Sequence, residues 1–547
     1  MEQSRTSSIK KAISPPSATN AASWSSALLA IGILILLVME WLLFPLTVDD
    51  AYISYNFSNN FAQGHGLVWY PGGDPVEGYT NFLWVVILST FIKVGFDVVL
   101  IAKILGILLS LGSVVMMYQI VRHLNPDGIG VMPALLLAAS PAFALWAVSG
   151  LETALFIFIM LIALRQYLIE DEIDASNPQS FWSVFWFMLL GMTRPEGAIL
   201  FIVLTGLRLF TWVRQGVSRK QVSTYLRWVF LIGFLCLVYF VWRWTYFGYL
   251  LPNTFYVKAQ SGLSNIARQV GVYLLPYALQ LFPFILLALY AVGTGEKLQK
   301  GDLYIGAALI CFALINLGSS DWMPGHRLAL PMTPLIFLLA RQPLDLILSQ
   351  VFQKQNLTSH LTYAAVSLGL LAFAITPFLY TAPLFNRVMA TQMDMSIYRW
   401  SEEMQTIVDG QYVEVGNWIA DHAPSDCSVV AGNVGAIAFL SGCHVIDQIG
   451  LTHEYIARNG WTVNYLLWLT PEFIVIESDT SEEFGGLYGT GGERWLRSEA
   501  FLENYELLFV VDNGKTDESA LFIHHLPHAT WLYARKNLGL QAEIPGP

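Results

Sequence analysis

Apolar runs recur along the first two thirds of the chain. Most approach the roughly 20 residues that a helix needs to cross a bilayer. They lie at 24–46, 98–121, 129–148, 153–170, 180–193, 197–214, 225–247, 270–292, 303–318, 328–348 and 360–380. Two segments fit less cleanly. Residues 81–96 are apolar but short and contain Lys93, and 180–193 stops at Thr193-Arg194-Pro195. The first reads as a juxtamembrane or re-entrant helix, which leaves about eleven spans. From about Asn386 the pattern changes to short β-rich stretches: 428–433, 444–449, 473–477, 507–512, 521–524 and 531–535. Helical periodicity at about 398–421 and 452–469 lies between the first of them. The expected fold class is a polytopic α-helical membrane protein with a C-terminal α/β domain. Its expected parts are a tail at 1–23, a membrane module at 24–384 whose first loop spans 47–97, and the α/β domain at 385–547.

Composition strengthens this reading. Hydrophobic residues make up 55% of the chain and charged residues 13%, with a mean hydropathy of +0.52. Soluble domains carry about 25% charged residues, so much of this surface must face lipid. The net charge is −11 and no basic stripe is present, which argues against nucleic acid as a partner. Arg5, Lys10 and Lys11 precede the first apolar run, which lacks a small-residue cleavage site, so the N-terminus is expected in the cytoplasm. Arg122, His123, Arg214, Arg219, Lys220, Lys297 and Lys300 then fall inside. Asp49-Asp50, Glu77, Glu152, Arg194-Glu196, Lys258 and Asp321–Arg327 fall outside with the C-terminal domain. The expected location is the plasma membrane, with the chemistry on the extracytoplasmic face. Cys236 and Cys311 sit in apolar runs. Cys427 and Cys443 become a candidate disulfide in an oxidising compartment.

The loop after the first span carries two adjacent carboxylates, Asp49 and Asp50, followed by an aromatic-rich helix with Tyr52, Tyr55, Phe57 and Phe61. Acids in a first helical turn commonly do no more than complement the helix dipole. Here they would stand at the lip of a lipid-lined cavity, where a base could meet a hydroxyl from outside and a lipid-borne donor from the bilayer.

The loop and later segments together resemble the GT-C superfamily of membrane glycosyltransferases. The nearest resemblance is to the terminal arabinofuranosyltransferase family of mycobacterial-type cell envelopes. The segments are DDAYISY from Asp49, GHGLVWYPGGDPVEGYTNFLW from Gly64, SGLETALF (149–156), TRPEG (193–197), YLLPNTFYVK (249–258), SSDWMPGHRLALP (319–331) and GAIAFLSGCHVIDQIGL (435–451). The resemblance implies a polyprenyl-phosphate sugar donor, a glycan or lipid acceptor and inverting transfer. By position Asp49 matches the base of that family. Asp50 would position the acceptor or share a metal.

Such a transfer requires a carboxylate to take the acceptor proton and positive charge to stabilise the departing phosphate. Arg327, His326, Lys258 and Arg194 are the candidates for the phosphate. Arg327 and Lys258 also suit the plainer role of snorkelling anchors at span ends. Glu77, Glu152 and Asp321 are candidates for assisting the acceptor or a metal, although Glu152 could simply cap a helix and Glu77-Gly78 could be a turn. No His/Cys/Asp spacing reads as a zinc site, so a divalent cation (Mg, Mn or Ca) would depend on oxygen ligands. Two rival readings remain: a lipid-linked-sugar flippase or transporter, and a non-catalytic glycan-binding envelope protein. The first would place charge at mid-membrane, where the spans read as nearly free of it.

Overall fold

The structure, a computed structural model, describes residues 18–126, 130–172, 180–258, 266–267, 269–294, 299–318, 323, 325–352, 397–478, 492–512 and 529–540. Five helices among them are long and apolar enough to cross a membrane: Ser25–Leu43, Val98–Leu124, Thr153–Glu172, Glu196–Gln215 and Arg219–Phe247. Large apolar side chains on their outer faces, including Trp41, Ile202, Val213 and Phe230, are largely exposed, as helices bathed in lipid require.

The other predicted runs are shorter or broken. The run at 129–148 forms two helices, Met132–Ala138 and Pro141–Val148. Proline cannot donate to the preceding turn, and Ser140 caps the second helix by accepting from the Phe143 amide. Every side chain of both helices is buried, so this break lies at the centre of the bundle. The run at 328–348 divides into Met332–Leu339 and Arg341–Phe352. The run at 270–292 opens as a π-helix, Val270–Leu274, and continues through Leu275–Gln280 and Phe282–Thr294. Phe82–Lys93, Trp182–Thr193 and Lys300–Asn316 are 12, 12 and 17 residues long. The run at 360–380 lies outside the described residues. Of the about eleven expected spans, five are long apolar helices and the other described runs are short or broken.

The near-absence of charge within the spans also needs correction. Glu40 lies within the first helix beside Ser110. Arg208 lies within Glu196–Gln215, fully buried, 3.4 Å from Glu170 and 3.8 Å from Asp171.

The C-terminal part is a five-stranded sheet. Its strands are β1 (Ser428–Ala431), β2 (His444–Asp447), β3 (Phe473–Ser478), β4 (Tyr505–Asp512) and β5 (Ala529–Arg535), in the order β2-β1-β3-β5-β4. β1 pairs in parallel with β2 and β3, while β5 runs antiparallel to β3 and β4. The run at 398–421 forms Ile397–Ile407, a π-helical segment Val408–Val413 and Glu414–His422. The run at 452–469 is split by Gly460 into Glu454–Asn459 and Val463–Trp468. The stretch at 521–524 lies outside the described residues. Cys427 and Cys443 form a disulfide with Cα atoms 5.0 Å apart. Each immediately precedes one of two neighbouring parallel strands whose register begins Ser428↔His444, which brings the two sulfurs within reach.

β2 and the loop after it face the membrane module. The Trp69 indole donates to the Val445 carbonyl, Tyr70 stacks on His444, and the Asn253 amide donates to the Gly450 and Leu451 carbonyls. The first loop is thus held between the helices and the sheet.

Candidate functional site

The helix Asp49–Ala62 begins directly after the first span, with Val48 as an extended N-cap. Both acids occupy its first turn, where the helix dipole favours negative charge. They face different surroundings. Asp49 is buried, and its two oxygens accept from the Gly435 and Ala436 amides, at 3.0 and 2.8 Å, in the first turn of the helix Gly435–Ser441. The contact is so close that a Cβ at Gly435 would stand 2.0 Å from the Asp49 carbonyl oxygen. Burial pushes the Asp49 carboxyl up to about 7 against these hydrogen bonds, and nearby Asp50 and Glu477 push in the same direction. Asp50 is 38% exposed, with Oδ2 3.5 Å from Arg327 Nη1.

Arg327 belongs to the turn before Met332–Leu339. Its guanidinium lies 5.4 Å from the Trp146 ring on the broken central helix. The turn is tied down by the Tyr273 hydroxyl, which accepts from the Leu328 and Ala329 amides. Tyr273 comes from the π-helical segment, a type of distortion frequent at functional sites. Arg327 is close enough to Arg194 for their charges to interact. Arg194 itself lies 2.8 Å from Glu196 and 3.9 Å from Glu152. Glu152 accepts from Asn81, which also donates to Ser54 on the Asp49–Ala62 helix. Gly150, at φ +92°, allows the Glu152 loop to pass the Tyr55 hydroxyl, which would stand 2.1 Å from a Cβ there.

Asp50, Arg327, Arg194 and Glu152 therefore form a connected charged group, with Asp49 beneath it. The remaining candidates fall elsewhere. Glu77 is buried in a bidentate ion pair with Arg243 near the end of Arg219–Phe247, which occupies both carboxylate oxygens. The expectation that Glu77 assists an acceptor or metal gives way to a clamp that fastens the first loop to that helix. His326 is adjacent to Arg327 in sequence but buried between the Tyr273 and Tyr277 rings at φ 51°. Burial lowers its imidazole to about 4, so it is neutral and brings no positive charge to a phosphate. Lys258 ends the short helix Asn253–Lys258. Asp321 lies outside the described residues.

Sequence patterns did not reveal Glu477 on β3. It is buried and receives a hydrogen bond from Asn433, which also donates to Tyr412. Burial raises its carboxyl above the usual range. The IVIE pattern of a core strand ending in an acid was its available signal.

Residues 398–527 match the model of a domain of unknown function, DUF8728. No curated protein matches the sequence. Among solved structures, the chain is similar to the oligosaccharyltransferase of Archaeoglobus fulgidus tethered to an acceptor peptide, with a TM-score of 0.57 at 11% identity over 94% of this chain and 88% of that one. It is similar to the same organism's oligosaccharyltransferase AglB in complex with an inhibitory peptide and a dolichol-phosphate, with a TM-score of 0.52 at 13% identity over 89% and 80%. It is also similar to ArnT of Cupriavidus metallidurans bound to undecaprenyl phosphate, with a TM-score of 0.53 at 14% identity over 95% and 98%. The fold is GT-C.

The residues around Asp49 are poorly suited to a divalent cation. Both Asp49 oxygens are engaged by backbone amides, and Asp50 faces a guanidinium. No group of three His, Cys, Asp or Glu side chains that could hold a metal occurs among the described residues.

Proposed function

We propose that this protein is an inverting glycosyltransferase that moves a sugar from a polyprenyl-phosphate donor to a glycan or lipid acceptor at the extracytoplasmic face of the plasma membrane. Arabinofuranosyl transfer is the finer reading, and it rests on the sequence resemblance alone. The observation that carries the proposal is the accessible Asp50 carboxylate held against Arg327 beside a buried second acid. The polyprenyl phosphates bound by two structures of this fold support the donor class.

In the reaction, the acceptor oxygen bonds to the anomeric carbon as the bond from that carbon to the phosphate oxygen breaks. The acceptor proton passes to a carboxylate, and the phosphate leaves with the bonding electrons. The family resemblance pointed to Asp49 as the base. A base must be within hydrogen-bond reach of the hydroxyl, and the Asp49 oxygens are turned into the protein. We therefore assign proton acceptance to Asp50 and the orienting of the first helical turn to Asp49. Arg327, supported by Arg194, stabilises the leaving phosphate. The planar guanidinium can grip two oxygens at once. Glu152, Asn81 and Ser54 orient Arg194 and the acceptor.

The test uses purified full-length protein with synthetic polyprenyl-phosphate sugars and a glycan acceptor. Loss of a general base typically costs about 10²–10⁴ in rate, so Asp50→Asn should lose that much while remaining folded. Wild-type turnover by Asp50→Asn together with loss in Asp49→Asn would return the base role to Asp49. Turnover only with nucleotide sugars would reject the donor class. Lipid-sugar translocation unchanged in both variants would favour the flippase, and glycan binding without turnover would favour the envelope-binding reading.

A further inference from the structure

The chain leaves the lipid-facing helix Arg219–Phe247 through a stretch anchored by buried Asn253 but otherwise lying at the surface. Leu250, Leu251 and Phe255 are each about half exposed. The helix Glu454–Asn459 of the C-terminal domain lies directly against this stretch. The Arg458 guanidinium sits 3.7 Å from the Tyr249 ring and 5.1 Å from that of Tyr256, and the Tyr249 hydroxyl donates to Glu454. From there an aromatic row continues outward over the domain. Tyr455 stacks on Tyr465 at 4.3 Å, and Tyr465 stacks on Trp468 at 6.2 Å. Trp468 is 74% exposed and Tyr455 49%, with Ile449 exposed beside the loop after β2.

We propose that this row is a bilayer-docking surface through which the C-terminal domain rests on the membrane at the end of the bundle that carries Asp50. Continuity is the first argument. The row extends the surface of a helix whose outer face is already lipid-exposed, at the level where that helix ends. Chemistry is the second. Trp and Tyr partition to the headgroup boundary, and an arginine lying along apolar rings can present its charge to lipid phosphates. Ring geometry is the third. A saccharide platform offers open ring faces, whereas here Tyr455 and Tyr465 cover each other's faces and Tyr465 and Trp468 stack in turn. The exposed rings extend an apolar edge, which suits the disordered boundary of a bilayer.

The test places an environment-sensitive fluorophore in full-length protein carrying Cys236→Ser and Cys311→Ser, with the disulfide intact. The protein is reconstituted in vesicles of phosphatidylcholine and phosphatidylglycerol. Labels are attached at Asn459→Cys, which leaves all three rings in place, and separately at Trp468→Cys. The control is Glu503→Cys, beside β4 at the opposite sheet edge, about 19 Å from β2 at roughly 4.8 Å per strand. Spin-labelled lipid quenching near the headgroup should reduce emission about twofold or more at 459 and 468 and leave 503 unchanged. Equal, weak quenching at all three positions would overturn the proposal. A response at 459 or 468 only on adding a soluble oligosaccharide would also overturn it and assign the row to glycan.

Discussion

Two ends of the helical bundle bury arginines among carboxylates, and they do so differently. At one end Arg208 is fully buried against Glu170 and Asp171, with its guanidinium 3.4 Å from the Tyr167 ring. Ser183 donates to Glu170, while Trp212 and Tyr304 donate to Asp171. Aromatic walls close this cluster on itself. At the other end Arg194 and Arg327 share Glu152, Glu196 and Asp50, and Asp50 remains open to solvent. Both regions pair their charges, but only one leaves a carboxylate within a substrate's reach. Burial of charge alone therefore does not mark a site. The informative feature is incomplete enclosure.

The comparison can be tested most severely at the closed end. Arg208→Met should strand buried Glu170 without its cation, leave Asp171 only the exposed Lys300 3.9 Å away, and destabilise the protein by about 3–5 kcal/mol. Thermal unfolding in detergent would measure it. A loss below about 1 kcal/mol would mean that the cluster is not a closed structural unit.

A smaller effect should follow where the C-terminal domain sits on Asp49. Gly435→Ala places a methyl group against the Asp49 backbone, and overpacking of this kind costs about 1–3 kcal/mol. If the junction is as tight as described, the same variant should lower turnover. Unchanged stability and unchanged turnover would show that the junction is loose.

The pH dependence of stability should separate the two acids. The folded Asp49 carboxyl is raised from its usual 3.8 to about 7. Between these values the folded state binds the proton more tightly than the unfolded state. The charged carboxylate thus destabilises the fold above about pH 7, and stability should rise as pH falls toward 4. Asp49→Asn should flatten that slope in melting temperature between pH 5 and 8, whereas an unchanged slope would locate the titration elsewhere. Smallest of all should be the stability change in Asp50→Asn, within about 1 kcal/mol for a half-exposed ion pair, although its turnover is expected to collapse. A variant that unfolds as well as losing turnover would remove the contrast between the two ends.

Much of this architecture was legible because local patterns encode it. Apolar runs gave the helical part, although Pro141 within 129–148 stands at the break that the run length obscured. Short β-rich stretches gave the strands. Cys427 and Cys443 were marked by their placement before two such stretches, and parallel pairing brought them together. The adjacency of Asp49 and Asp50 pointed to the start of one helix, whose first turn holds both acids.

Partnership across long separations was not legible. Glu77 and Arg243 are 166 positions apart, and nothing near either residue names the other. The same holds for Asp49 and the amides of Gly435 and Ala436, 386 and 387 positions away. Sequence by itself determined which segments are apolar, which are extended and where acids cluster, because these properties depend on residues a few positions apart. Tertiary structure alone decided which acid of the pair is buried and which is open. That outcome depends on which distant surface excludes water from each carboxylate, and chain topology, not local spacing, brings that surface into place.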